Sequence, residues 1–223
     1  MPDLSGRAVL VTGAGHGLGA TVARALGSAG ARVWAADRAA LDVTSEASVA
    51  EAVAAAERDI GPLDGLVCNA GIAGPTAPLW EVSPEEWSAT LDVNLTGVHR
   101  CCAAALPVMI ARGRGSVVVV GSVTGKRPLL GRTPYAASKL GLVGYVRTAA
   151  LDCAGTGVRV NLVAPGPIAG DRLDRVLSAS GRTSDEMFAD HAPVTEKEVA
   201  ATIAFLLSDE AAGLSGTDVD VLR

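Results

Sequence analysis

Tyr135 and Lys139 stand four residues apart in the segment TPYAASKLGLVGYVRTAALD. Side chains at i and i+4 share one face of a helix, so the ammonium can lie beside the phenol and favour its ionised form. A phenol placed that way can act as an acid/base. Far upstream, residues 12–19 read TGAGHGLG and precede the helical stretch GATVARALGSAG. Backbone amides and the positive end of a helix at such a turn can hold a pyrophosphate. Gly13, Gly17 and Gly19 give the spacing G-x-x-x-G-x-G, with Leu18 where the G-x-G-x-x-G fingerprint needs a glycine. Taken singly, each signal is weak, because strand-to-helix turns and helix surfaces produce both patterns without chemistry.

Two further residues belong to the same argument. Asp37 ends a strand-like run about twenty residues after the glycine turn, where a carboxylate accepts hydrogen bonds from adenosine ribose hydroxyls. It would repel a 2′-phosphate, which favours NAD over NADP, although Arg38 and His16 offer positive charge and keep NADP open. Ser122 closes the run SVVVVGS, so the end of a strand and the start of the Tyr135 helix can converge. Serine after a strand is more often only a turn or cap residue.

These side chains need elements to position them. The runs AVLVT, RVWAAD, GLVCNA, SVVVVGS, VRVNLVA and TDVDVL alternate with alanine-rich stretches of helical period. That alternation predicts an α/β fold, a single doubly wound (Rossmann) parallel sheet with helices on both faces and ligands at the carboxyl ends of its strands. Ser83-Pro84-Glu85-Glu86 and Thr195-Glu196-Lys197-Glu198 carry the hydroxyl and glutamate of a capped helix start. One connection is too short: only Arg38, Ala39 and Ala40 separate Asp37 from the next strand-like piece, Leu41 to Val43. A parallel crossover needs at least ~10–12 residues. The third strand and its helix are therefore expected to be absent or reduced, with Asp42 and Val43 in an irregular loop beside the Asp37 end of the sheet.

The 223 residues carry 26 glycines and are 49% hydrophobic, which fits one catalytic domain over residues 1–223. The net charge of −5 arises from 24 acidic against 19 basic residues with no block of either sign. Nothing in that pattern makes a nucleic-acid groove or a membrane patch. Cys68, Cys101, Cys102 and Cys153 form no C-x-x-C pair and no zinc-like spacing with histidine, so they read as reduced and buried, with no metal site. The start MPDLSGRAVLVTG lacks the pattern of a signal peptide, and no apolar run reaches the ~18 residues of a spanning helix. The expected location is the cytoplasm. Trp34, Trp80 and Trp87 read as packing residues.

In their order along the chain these motifs resemble the short-chain dehydrogenase/reductase family, in which a glycine-rich turn, an N-A-G, an asparagine, a serine and a Y-x-x-x-K follow one another. They appear as TGAGHGLG, Asn69-Ala70-Gly71, Asn94 in LDVNLTG, Ser122 in VVVVGSVTG, and Tyr135-Ala136-Ala137-Ser138-Lys139. The resemblance covers nearly the whole chain. It implies that Tyr135 is the proton donor or acceptor and that Ser122 hydrogen-bonds and orients the substrate oxygen. It implies that Lys139 binds the nicotinamide ribose and depresses the tyrosine from its usual value near 10. Asn94 would hold a water that links Lys139 to solvent. The segment Asn69, Ala70 and Gly71 would pass beside the adenosine ribose, and Asp42 and Val43 would hold the adenine edge. Pro165, Gly166, Pro167 and Ile168 would cover the nicotinamide.

The family often has a threonine four residues after that glycine, whereas position 170 is glycine. Residues from about 167 to 195, including Met187, Phe188 and His191, are expected to form a lid that selects the substrate, with His191 as a loop residue. Residues 83–112 and 133–155 resemble the family's interface helices, which implies a homodimer or homotetramer. Three readings follow: an NAD-dependent dehydrogenase of a secondary alcohol, cyclic alcohols among its substrates, and its ketone; an NADPH-dependent ketoreductase of acyl or polyketide chains; and a dinucleotide-binding regulator without catalysis.

Overall fold

A computed structural model of the 223-residue chain describes residues 2–179, 181, 183, 188 and 192–223. Six parallel strands form one sheet: β1 (Ala8–Thr12), β2 (Arg32–Ala36), β3 (Gly65–Cys68), β4 (Gly115–Val120), β5 (Val158–Pro165) and β6 (Asp218–Val221). Their spatial order is β2-β1-β3-β4-β5-β6, with the sense of winding reversing on either side of β1. The three strands β1, β3 and β4 are buried along their whole length, as their uninterrupted apolar runs require in a sheet covered on both faces.

The helices are α1 (Gly17–Ser28), α2 (Glu46–Ile60), α3 (Pro84–Leu91), α4 (Gly97–Ala111), α5 (Thr133–Asp152), α6 (Asp171–Ala179) and α7 (Glu196–Leu207). One apolar cluster joins a face of the sheet to α2, α4 and α5 through Leu66, Val117, Val119, Met109 and Leu142. The opposite cluster joins Val9, Val11, Val67 and Val118 to Leu26 of α1 and Ile203 of α7. Alternate residues of each strand therefore feed opposite layers, which is the doubly wound arrangement.

Residues 37–45 contain no strand among the described residues, and β2 pairs with β1 as the edge of the sheet. Leu41 and Val43 in this short loop are buried, so the loop packs back onto the protein. Both expected capping boxes form: Ser83 and Glu86 bond reciprocally at the start of α3, and Thr195 and Glu198 do so at the start of α7. Between α3 and α4 the chain makes a π-helical turn, Asp92–Thr96, so that Pro84–Ala111 runs as one 28-residue helix. That run is long and apolar enough to cross a bilayer by length and composition, but its buried residues Val98, Cys101, Cys102, Ala105 and Met109 belong to the core.

One sequence expectation needs correction. Trp80, expected to pack, is 84% exposed on a single 3-10 turn, Leu79–Glu81, which is too short to have a buried face. Trp87 is also exposed, whereas Trp34 is half-buried and donates its indole N–H to Asp59 at 3.1 Å.

Candidate active site

The glycine turn is built by close approach. Gly13 has φ of 64°, and a Cβ there would stand 2.8 Å from the Ala70 Cα. A Cβ on Gly19 would run into the Gly13 carbonyl oxygen. No side chain larger than hydrogen leaves both backbones where they are. The turn is pinned from the β3 end by Asn69, whose amide donates to the Thr12 and Gly13 carbonyls at 2.9 and 3.0 Å. Thr12 Oγ1 in turn accepts from the Asn69 and Ala70 N–H groups, both at 3.0 Å. His16 takes the N-cap position of α1 and is exposed, followed by Gly17 and the half-buried Leu18.

Asn94 sits in the π-helical turn, completely buried. An extra residue in one helical turn rotates the side chains that follow. Its Oδ1 accepts from the Ile72 N–H at 2.8 Å, and its Nδ2 donates to the Ile72 carbonyl at 3.0 Å and to Ser138 Oγ at 3.2 Å. Ser138 Oγ donates to the Tyr135 carbonyl at 2.7 Å, so one buried network ties the loop after β3 to the first turn of α5. Gly71 completes it: a Cβ there would meet Asn94 Oδ1 at 3.1 Å and Lys139 Nζ at 3.8 Å.

Tyr135 and Lys139 lie together as their spacing predicts. Lys139 Nζ is 5.8 Å from the centre of the Tyr135 ring and donates to the Val120 carbonyl at the end of β4, at 2.9 Å. Lys139 is 5% exposed, a cation held inside the protein at the carboxyl edge of the sheet. Ser122, two residues beyond that carbonyl, caps the short turn Val123–Gly125 by accepting from the Thr124 N–H at 3.2 Å. It keeps an extended backbone at the strand's carboxyl end and is half-buried.

Asp37 is exposed at the end of β2, its Oδ1 accepting from the Ala39 and Ala40 N–H groups at 3.0 Å each. Gly15 lets the glycine turn come close, since a Cβ there would be 3.0 Å from the Asp37 Cβ. The Asp42 carboxyl is held below the usual carboxylate range by its bonds from the Thr44 hydroxyl and N–H, with Arg38 3.8 Å away. Val43 points inward against Gly97, and its carbonyl accepts from Arg100 at 3.2 Å. Pro165 ends β5. Gly166 N–H donates to Val221 at 2.9 Å, and Ile168 bridges to Val194, whose N–H donates to Pro167 at 3.0 Å. Phe188 lies in a turn, half-buried, while Met187 and His191 lie outside the described residues.

Three contributors escape motif reading. Thr12 locks the Asn69 segment, Ser138 carries the network from Asn94, and Arg132 lies buried against the Tyr135 ring. Thr12 and Ser138 stand inside the motifs, but neither residue type signals a bond across more than forty positions. All four cysteines are free and buried, and no group of metal-binding side chains occurs among the described residues.

A family model described as enoyl-(acyl carrier protein) reductase matches residues 39–221. The chain is 38% identical to cis-4-hydroxycyclohexanecarboxylate dehydrogenase of Sinomonas cyclohexanicum over 94% of this chain and 92% of that protein. It is 34% identical to the 3-oxoacyl-[acyl-carrier-protein] reductase FabG of Vibrio cholerae over 98% and 97%. Among solved structures, levodione reductase superposes with a TM-score of 0.93 at 30% identity, covering 98% of this chain and 96% of that one. The chain belongs to the short-chain dehydrogenase/reductase family, oxidoreductases that act on CH–OH groups with NAD or NADP.

Proposed function

We propose that the protein is an NAD-dependent dehydrogenase that interconverts a secondary alcohol, cyclic alcohols included, with its ketone. The observation that carries this reading is the buried network from Asn94 through Ser138 to the Tyr135 turn, with the Lys139 ammonium at the phenol and Ser122 at the adjoining strand end.

The residues present fit a dinucleotide, because Gly13 and Gly19 allow the close backbone packing against Ala70 and within the turn that sets the amino end of α1 directly after β1. His16, Gly17 and Leu18 would present the amino end of α1 to the pyrophosphate. Asp37 would take the adenosine ribose, with Asn69, Ala70 and Gly71 beside it and Asp42 and Val43 at the adenine. Pro165, Gly166 and Ile168 would flank the nicotinamide. Bound NAD supplies the acceptor for the hydride that leaves the carbinol carbon.

Tyr135, as phenolate, takes the hydroxyl proton while the carbon–oxygen bond becomes a carbonyl, and the reverse reaction returns that proton to the ketone oxygen. Ser122 donates a hydrogen bond to the same oxygen and fixes its position. Lys139 stabilises the phenolate by charge. Asn94 holds the backbone at Ile72 and, by family resemblance, a water that links Lys139 to solvent. Residues 167–195 act as the substrate lid. The exposed Leu140 and Leu151 of α5 and Trp87 of α3 suit a homodimer or homotetramer in the cytoplasm.

The hydroxycyclohexanecarboxylate dehydrogenase relative supports a cyclic alcohol. The FabG relative favours a second reading, an NADPH-dependent ketoreductase of acyl or polyketide chains. Absorbance of reduced nicotinamide, followed with NAD or NADP and a panel of cyclic secondary alcohols, separates them. Turnover with NAD and weaker binding of NADP are expected, since the Asp37 carboxylate would repel a 2′-phosphate. Preference for NADPH with acyl ketones selects the second reading, and no turnover with any alcohol or ketone overturns both.

A further inference from the structure

The reaction above leaves unused a buried cation beside Tyr135. Arg132 occupies the N-cap position of α5, three residues before Tyr135, and is 4% exposed. An N-cap usually carries a small acceptor side chain, and a positive charge there opposes the helix dipole. The side chain turns instead across the site. Its Nη1 donates to the Pro75 carbonyl at 3.3 Å and to Thr76 Oγ1 at 3.1 Å, and its guanidinium carbon is 4.6 Å from the centre of the Tyr135 ring. Lys139 Nζ is farther, at 5.8 Å. The phenol therefore has two cations against it, and the nearer is not the lysine of the motif.

A guanidinium over an aromatic face attracts the neutral ring. It attracts the phenolate more, because the ring then carries a full negative charge. That difference between protonation states is what displaces an ionisation equilibrium. Burial reduces screening by water and salt, and arginine keeps its charge throughout the working pH range. The other charges on elements packed against this end of α5 are paired, capped or exposed to solvent, Arg127 among the exposed. Lys126 pairs with Asp218 and Asp220, Asp92 pairs with Arg100, and Glu86 closes the α3 capping box. Glu85 is exposed in the same first turn.

We propose that Arg132 is a positioning residue that holds the Tyr135 ring against the loop at Pro75 and Thr76 and, with Lys139, stabilises the phenolate. This rests on the reading of Tyr135 as the acid/base, but its test needs neither cofactor nor substrate. The chain has two tyrosines. Tyr145 is kept protonated by burial, which raises it far above the usual tyrosine value, reinforced by the neighbouring thiol of Cys102. Tyrosinate absorbance of the free protein, titrated up to about pH 11 and assigned by its loss in Tyr135→Phe, therefore reads Tyr135.

Arg132→Gln is expected to move that midpoint upward by about one pH unit, a tenfold change in proton affinity. Thr76→Val, which removes one guanidinium bond and leaves the charge, moves it upward by less and covers the case in which Arg132→Gln does not fold. A midpoint that stays at the wild-type value in whichever of these variants retains the native circular dichroism and melting curve overturns the proposal. An upward shift in a protein that oxidises no alcohol would keep the role of Arg132 and sink the dehydrogenase reading.

Discussion

The Asn94–Lys139 network and the segment after β5 meet at the same edge of the sheet, yet they are secured differently. The first is a buried polar cluster in which Asn94, Ser138 and Lys139 each bond to a partner on another element or turn. The second, residues 166–195, is tied to the sheet by Gly166 to Val221 and by the Ile168–Val194 bridge beside the α7 cap, and among its described residues Leu177 of α6 is buried. In the proposed reaction the acid/base sits on a helix at the strand ends, whereas the proposed substrate lid is the segment between β5 and α7.

The difference can be broken most sharply from the buried side. Asn94→Ala removes a fully buried side chain together with its bonds to the Ile72 N–H and carbonyl and to Ser138, which costs about 2 kcal/mol. Melting should fall by about 4–8 °C, and turnover should fall about tenfold or more with KM for the alcohol changed less. A variant with wild-type melting and activity would show that the network does not position the site.

The α7 cap that closes this segment should respond more mildly and through pH. Glu198 accepts from the Thr195 N–H and hydroxyl and from Arg223, and these bonds, those of Thr195 first, hold its carboxyl at about 2 against an ordinary 4.5. A carboxyl depressed in the folded state contributes stability that is complete above its unfolded value and is lost as pH falls towards its folded value. The melting difference between wild type and Glu198→Gln should therefore be present at pH 7, small because the pair is exposed, and should shrink from about pH 4.5 downward. A difference that grows on acidification would contradict the assignment.

The same contrast governs what could be read from the sequence. The strands were legible because burial on both faces demands continuous β-branched runs, and the short Asp37–Leu41 connection because chain length bars a crossover. Gly13 and Gly19 were legible because close backbone approach admits one residue type. Arg132 was not, since an arginine in PLLGRTPY carries no sign that its guanidinium folds back over Tyr135. Nor was the inward turn of Asn94, which depends on one π-helical turn that residue type does not announce. Trp80 misled because aromatic character predicts burial only where an element has a face to bury.

The proposed chemistry turns on Tyr135, and one substitution tests it most directly. In Tyr135→Phe, NAD binding followed by tryptophan fluorescence should match wild type, while oxidation of the best secondary alcohol found should fall by about a thousandfold. Turnover within a few-fold of wild type, with cofactor binding intact, would contradict the assignment of Tyr135 as the acid/base.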